Sequence, residues 1–195
     1  MDSTIWNNLC EAVKVNQNLS EIPFEKSVAN DFLNALDWNK LKGNLKEQFI
    51  INQHTKWRAD FALFVPDNSN PEIMVELKKP SNRQNRKDRA QVSDYLKITD
   101  CRFGLYFGER LELFFLAFKG DKRETKSILK VEYEKDSPYY CDLLRLLRSN
   151  TYDREKLMNY CTEQLAIQDA CNFWMKRENS DIILHYMMDY CKLKP

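Results

Sequence analysis

Two strand-like segments joined by a turn constrain the fold of this chain more than any other feature of its sequence. Residues alternate between the two faces of a strand, and the segments 57–65 and 72–78 both carry apolar side chains at every second position. The stretch 66–71 between them is rich in Pro, Asn, Asp and Ser, which favour turns. The pattern predicts a β-hairpin that buries its two apolar faces together.

Three charged residues interrupt this hairpin on one side. Asp60 lies on the second face of the first strand, and Glu76 and Lys78 lie on the second face of the other. Two adjacent carboxylates repel each other unless a positive charge lies between them. Lys78 can supply that charge, and a divalent cation can supply it better, because Mg²⁺ prefers carboxylate and water oxygens. The residues leave two interpretations open: a metal site suited to phosphodiester hydrolysis, and a surface hairpin with an ordinary ion pair.

A second Glu-x-Lys pair, Glu124 and Lys126, provides an internal comparison. It lies in the polar stretch 120–127, which lacks an apolar strand pattern, and no strand-borne Asp precedes it. We expect this pair to be solvated and to lie outside a strand. It therefore represents a Glu-x-Lys sequence with no expected chemistry.

The composition limits the classes of function. The chain has 195 residues, and a hydrophobic share of 43% is enough for a folded core. The formal net charge of +1 is too small to indicate a nucleic-acid partner from the charge of the whole chain. The six cysteines form no CxxC pair and only two histidines occur, which argues against a structural zinc site. The chain has no Gly-rich phosphate loop of the GxxxxGK[ST] type, so it is not by itself an ATP-driven motor.

The chain also lacks signals of export and membrane insertion. Residues 1–10 do not show the charged start and apolar region of a signal peptide. The longest apolar run, at 113–118, is too short to span a bilayer. We therefore expect a protein of the reducing cytoplasm, without a membrane partner.

The order of predicted elements is that of an α/β (α+β) chain with a C-terminal helical tail. Helical spacing of apolar residues occurs in 2–15, 23–38, 86–98, 139–149, 153–176 and 180–193. Strand patterns occur in 49–52, 57–65, 72–78, 102–108, 110–118 and 127–133. We divide the chain into a domain of residues 1–150 and a helical extension of residues 151–195 that packs on it.

The helix predicted at 86–98 follows the strand of Lys78 and adds two polar residues. Gln91 and Tyr95 are four positions apart, so they share one helix face. The apolar spacing predicts that Ala90, Tyr95 and Ile98 face inward. Trp57 occupies an apolar strand position, which favours packing in the core over stacking on bases.

The order of these segments resembles the PD-(D/E)xK nuclease superfamily, and more narrowly the N-terminal nuclease domain of type I restriction enzyme R subunits. The resemblance covers roughly residues 25–118, in EKSVANDFLNALDW, RADFAL, VELKKP, QVSDY and RFGLYFGERLELFF. A looser likeness continues in the helical tail. One departure is the sequence Leu36-Asp37-Trp38, where relatives usually carry Leu-Gly-Trp.

The resemblance implies a restriction-endonuclease-like fold, which is a mixed sheet flanked by helices with an αβββαβ core. It implies that Asp60, Glu76 and Lys78 are catalytic. Asp60 and Glu76 would bind Mg²⁺ or Mn²⁺, and Glu25 would complete or support the metal site.

Residues after Lys78 are expected to contact nucleic acid. By resemblance, Gln91 and Tyr95 would match the QxxxY motif, which shapes the site and contacts the nucleic acid. The segment between the hairpin and this helix is strongly basic, and a basic segment beside such a site favours phosphate binding over a merely solvated loop. Its basic residues after Lys78 are Lys79, Arg83, Arg86, Lys87 and Arg89.

The sequence thus predicts an Mg²⁺-dependent endonuclease acting on nucleic acid, taken to be DNA, in restriction or defence. A homodimer and a separate targeting or motor partner are left open. The alternative is a catalytically silent nuclease-fold module that binds nucleic acid or a partner protein. The carboxylates argue against nucleic-acid binding alone, because without a neutralising cation they repel phosphates.

Overall fold

The computed structural model of the protein describes residues 2–16, 28–52, 57–66, 68–78 and 86–176. The chain divides into two compact units, residues 1–153 and residues 154–195. The first unit is a mixed α/β structure built on one sheet. The described part of the second unit is one long helix.

The described residues form six strands, which lie in the sheet in their chain order. The strands are β1 Leu45–Asn52, β2 Trp57–Leu63, β3 Ile73–Leu77, β4 Phe103–Phe107, β5 Leu111–Lys119 and β6 Lys122–Val131. Neighbouring strands are antiparallel except β3 and β4, which are parallel. The predicted hairpin is present as β2 and β3, with Phe61 opposite Val75.

Helices precede, interrupt and follow the sheet. Those in the described residues are α1 Asp2–Asn16, α2 Asn30–Ala35, α3 Arg86–Thr99, α4 Tyr140–Leu147 and α5 Arg154–Trp174. Helix α3 lies in the crossover between β3 and β4, which a parallel pair of strands requires. The predicted helix at 180–193 and the first part of the one predicted at 23–38 lie outside the described residues.

Helix α3 covers one face of the sheet. Val92, Tyr95 and Leu96 are buried there in one cluster with strand residues that include Met74. Gly104 on β4 allows the close approach, because a Cβ atom at this position would meet Val92 Cγ1 at 2.7 Å. The absence of a side chain at Gly104 therefore helps to set how α3 sits on the sheet.

Helix α2 packs on the opposite face of the sheet, and helices α1 and α4 contact each other. Phe32 of α2 contacts Phe107 of β4 edge-on, with ring centroids 5.6 Å apart. Trp6 of α1 stacks on Tyr140 of α4 at 5.5 Å. The predicted class is confirmed at this level: a mixed sheet flanked by helices and followed by a C-terminal helix.

Strand β6 is longer than the sequence pattern predicts. The expected strand covers 127–133, whereas β6 begins at Lys122 and includes Glu124 and Lys126. The prediction that this pair lies outside a strand is therefore wrong. The reason is that β6 is the last strand of the sheet and its first residues are exposed, so they need no apolar alternation.

The inward face of α3 also differs from the prediction. Ala90 and Ile98 are exposed, and Val92 and Leu96 are buried instead. The buried positions 92, 95 and 96 follow the three-and-four spacing of a narrow helix stripe. Trp57 is 40% exposed rather than buried, because it is the first residue of its strand.

Helix α5 opens the second unit at Arg154. The expected packing of a helical extension on the first domain stays a prediction. Within the described ranges, no helix combines the length and the apolar character needed to cross a membrane.

Candidate active site

Strands β2 and β3 separate at the predicted site. Their ladder ends where Phe61 lies opposite Val75, and the same register places Asp60 opposite Glu76. From this point β2 continues in its pairing with β1, and β3 continues in its pairing with β4. The sheet therefore opens between the two strands at the positions of the two carboxylates.

The Asp60 side chain bridges this opening. Its Oδ2 atom accepts a hydrogen bond from the backbone N–H of Leu77 at 2.7 Å. Its Oδ1 atom accepts one from Gln48 Nε2 at 3.4 Å. Gln48 belongs to β1 and has a φ of 47°, a left-handed conformation that is uncommon for a residue other than glycine. Both neighbouring strands thus contact the Asp60 carboxylate.

Glu76 and Lys78 form an ion pair on the same side of the sheet. Lys78 Nζ lies 2.5 Å from Glu76 Oε1. The Glu76 side chain is 3% exposed and that of Lys78 is 19% exposed, so the ammonium is the more accessible partner. The backbone N–H of Lys78 donates to the carbonyl of Phe107 at 2.7 Å, which fixes the chain just after β3.

Gln91 and Tyr95 of α3 lie next to these charges. Gln91 Nε2 donates to the Tyr95 hydroxyl, and that hydroxyl donates to the carbonyl of Arg58 at 2.7 Å. Burial raises the pKa of Tyr95 to about 12, with a further raising effect from the negative charges of Glu76 and Asp60. The phenol is therefore protonated at neutral pH and serves as a donor.

An exposed aromatic ring lies beside Tyr95. Trp57 contacts the Tyr95 ring edge-on, with centroids 6.1 Å apart. The ring is 40% exposed, so Tyr95 has an accessible indole as a neighbour. This exposure differs from the core position that the sequence pattern predicts for Trp57.

Another buried carboxylate, which the sequence pattern did not single out, belongs to Glu112 and lies farther across the sheet. The Oε1 atom of Glu112 accepts hydrogen bonds from Arg89 Nη2 at 2.5 Å and from Arg110 Nε at 2.9 Å. Its Oε2 atom accepts one from Ser127 Oγ at 3.0 Å. Glu112 could have been found from the sequence, because it is a charged residue within an apolar strand pattern. The same feature identifies Asp60 as a candidate.

For the remaining predicted residues, the structure describes at most the backbone. Glu25, Lys79 and Arg83 lie outside the described residues. Arg86 and Lys87 lie in the first turn of α3. Their roles in metal or nucleic-acid binding stay predictions.

Asp60 and Glu76 form a pair of oxygen donors that suits a hard cation. Mg²⁺ is commonly bound by one or two carboxylates together with waters and substrate phosphates. Among the residues that the structure describes, no group of three or more His, Cys, Asp or Glu side chains is placed to hold a metal ion. A metal at this pair would take its other ligands from water, from a phosphate or from residues outside the described ranges.

The fold and the site define a mixed α/β protein with carboxylates and a lysine at an opening of its sheet. No family model matches the chain, and no curated protein or solved structure matches it significantly. A functional assignment therefore depends on the chemistry of the site and on the resemblance of its sequence motifs.

Proposed function

We propose that the protein is a metal-dependent nuclease that hydrolyses phosphodiester bonds, with DNA as its substrate. The observation that carries the proposal is the position of Asp60, Glu76 and Lys78 on one side of the sheet, where β2 and β3 separate. The proposal includes a restriction-endonuclease-like fold and a role in restriction or defence. Two carboxylates and an ammonium at one point can serve a reaction in which phosphate oxygens gain negative charge.

Two further observations support the resemblance to PD-(D/E)xK nucleases. The described elements α2, β1, β2, β3, α3 and β4 follow one another in the αβββαβ order of that superfamily. Asp37 has a φ of 70°, a conformation that favours glycine, and relatives usually carry glycine at this position. Asp tolerates the conformation better than most residues, and its carboxylate pairs with Lys42 Nζ at 2.5 Å.

Each residue has a role that follows from its position. Asp60 and Glu76 would hold Mg²⁺ or Mn²⁺, and the bound ion would acidify a water molecule and stabilise charge on the phosphate. The Lys78 ammonium, which is more exposed than Glu76, would contact the phosphate oxygens and stabilise the charge that develops on them. Tyr95 would keep the β2 backbone in place beside Asp60 through its hydrogen bond to Arg58.

The test begins with calorimetric titration of Mg²⁺ and Mn²⁺ into the wild type and into the Asp60→Asn/Glu76→Gln variant. Both proteins are then tested for nicking of supercoiled plasmid. The amides keep the shape of the side chains while removing their charges. We expect metal binding and nicking in the wild type and the loss of both in the variant.

A matched control removes two carboxylates elsewhere. The Asp121→Asn/Glu124→Gln variant changes two exposed residues and should bind metal and nick plasmid like the wild type. A wild type that binds no metal contradicts the proposal, as does nicking that survives in Asp60→Asn/Glu76→Gln. A wild type that binds metal but cuts neither DNA nor RNA favours the alternative of a silent nuclease-fold module.

A further inference from the structure

The arginine pair around Glu112 lies on the same face of the sheet as the candidate active site. Glu76 is the cross-strand partner of Tyr106, and Tyr106 is the partner of Glu112. Cross-strand partners project from the same face. Glu112 is therefore two strands away from Glu76, a distance of about 10 Å at the usual spacing of strands.

Arg110 and Lys78 also lie at the same end of the sheet. The backbone N–H of Lys78 donates to the carbonyl of Phe107 at 2.7 Å. Phe107 pairs with Leu111, the residue that follows Arg110. A guanidinium and an ammonium thus occupy one end of one face, close to the opening between β2 and β3.

Glu112 fixes the direction of both arginines. Its side chain is 0% exposed, whereas the side chains of Arg89 and Arg110 are 33% and 22% exposed. A carboxylate without contact to water is stable only when it is paired, and here two guanidinium groups share its Oε1 atom. The guanidinium group of each arginine is therefore fixed by the buried Glu112 carboxylate, while part of each side chain remains exposed to solvent.

Arg110 retains hydrogen-bond donors for a ligand. Its Nε atom donates to Glu112, its Nη1 atom donates to Glu132 Oε1 at 3.2 Å, and no described residue accepts a hydrogen bond from its Nη2 atom. The Glu132 side chain is 52% exposed, so this contact is the weaker restraint. A guanidinium that is held in place and keeps N–H groups in reach of solvent is suited to a phosphate.

We propose that Arg110 and Arg89, positioned by Glu112, bind a phosphate of the nucleic-acid strand that enters the site of Asp60 and Glu76. The inference rests on the proposed nuclease function and adds a second phosphate contact to it. A separation of about 10 Å corresponds to roughly three phosphates of one strand along a duplex axis. Contacts to phosphates set the register of a bound strand, so the arginines would select which phosphodiester bond reaches the carboxylates.

The test measures the affinity for a fluorescently labelled DNA duplex in Ca²⁺ buffer at several salt concentrations. Arg110→Met is compared with Arg123→Met, which also removes an arginine paired with an aspartate or glutamate, in this case Asp100. Arg123 lies where β5 and β6 join, at the opposite end of the sheet. We expect Arg110→Met to bind about tenfold more weakly and to lower the salt slope by about 1, while Arg123→Met behaves as the wild type.

A purely structural role for Arg110 would lower the melting temperature of Arg110→Met and leave its salt slope unchanged, and this result overturns the inference. A second readout uses the wild type and is independent of variant folding. The bound duplex should slow modification of Arg110 by phenylglyoxal and leave Arg123 unaffected, as read by peptide mass spectrometry. Equal modification of Arg110 with and without the duplex overturns the inference.

These outcomes can be separated from failure of the proposed function. A wild type that neither binds nor nicks DNA overturns the nuclease assignment and the phosphate contact together. A wild type that nicks DNA, combined with an unchanged salt slope in Arg110→Met, overturns the phosphate contact alone.

Discussion

Two Glu-x-Lys pairs in this protein share a sequence pattern and differ in environment. Lys78 Nζ lies 2.5 Å from Glu76, and Lys126 Nζ lies 2.7 Å from Glu124. Both glutamates belong to strands. The Glu76 side chain is 3% exposed, however, and that of Glu124 is 56% exposed. Neither the spacing nor the ion pair distinguishes a candidate site from a solvated surface pair.

The position of each pair in the sheet explains the difference. All five residues of β3 are buried, because β3 has a strand on either side and helices above and below. The first residues of β6 are exposed, because β6 is the last strand. Only the central pair has another carboxylate, Asp60, on the adjoining strand and Tyr95 next to it. We therefore expect reactivity at Glu76 and Lys78, because these charges lie close to the Asp60 carboxylate and are largely shielded from water.

The largest expected contrast is in cleavage. Lys78→Met should lower the plasmid-nicking rate by about 100-fold to 1,000-fold, the usual cost of removing a charge-stabilising group from an active site. Lys126→Met should leave the rate unchanged, since its pair is exposed. Initial rates at saturating Mg²⁺ check the prediction. Equal rates for the two variants would remove the functional distinction between the pairs.

The next contrast is in stability. Lys78→Met removes the ion-pair partner of a buried carboxylate and should lower the free energy of unfolding by about 2 kcal/mol. Lys126→Met acts on a solvated pair and should change it by less than about 0.5 kcal/mol. Urea unfolding at neutral pH measures both values. A Lys78→Met variant as stable as the wild type would show that the buried pair adds little to folding.

A smaller effect concerns Tyr95, which adjoins only the buried pair. Burial raises its pKa from 10.0 to about 12, so the folded state favours the protonated phenol. This contribution to stability is complete below pH 10 and is lost as the pH rises toward about 12. Tyr95→Phe should cost about 1 kcal/mol at neutral pH, through loss of the hydrogen bond to Arg58. In urea unfolding, the Tyr95→Phe variant should lose less stability above pH 10 than the wild type does. Parallel curves of stability against pH for the two proteins would contradict this prediction.

The smallest effect is expected at the exposed pair. The hydrogen bond from Lys126 lowers the pKa of Glu124 below its usual 4.5. Its contribution to stability is therefore present above that pH and is lost as the pH falls through the lowered pKa. Glu124→Gln should shift the urea midpoint barely at neutral pH and not at all in strong acid. A large shift of the urea midpoint would mean that solvent exposure does not explain the expected difference in stability between the two Glu-x-Lys pairs.

Much of the sheet could be predicted from the sequence, and the order of its strands could not. The hairpin of β2 and β3 follows from alternation and from the turn residues between them. The parallel pairing of β3 with β4 does not, because periodicity describes the faces of one strand and not its neighbours. The start of β6 escaped prediction because an exposed edge strand carries no apolar face in its first residues.

The candidate site shows the same division. Asp60, Glu76 and Lys78 stood out because charged residues are costly within apolar strands. Glu112 gave the same signal in the run of β5, but no basic residue two positions later drew attention to it. Its partners, Arg89 and Arg110, come from a helix and from the turn before β5, and only tertiary structure brings them together.

The agreement between strand order and chain order has a consequence for how the protein folds. Each strand pairs with the strands next to it in the chain, so most of the sheet forms from contacts of short sequence separation. Chains of this kind fold faster than those that must close large loops first. The segment from β1 to β4 also leaves the ribosome before α5. A nascent chain can therefore bring Asp60, Glu76 and Lys78 together before synthesis of the C-terminal helix is complete.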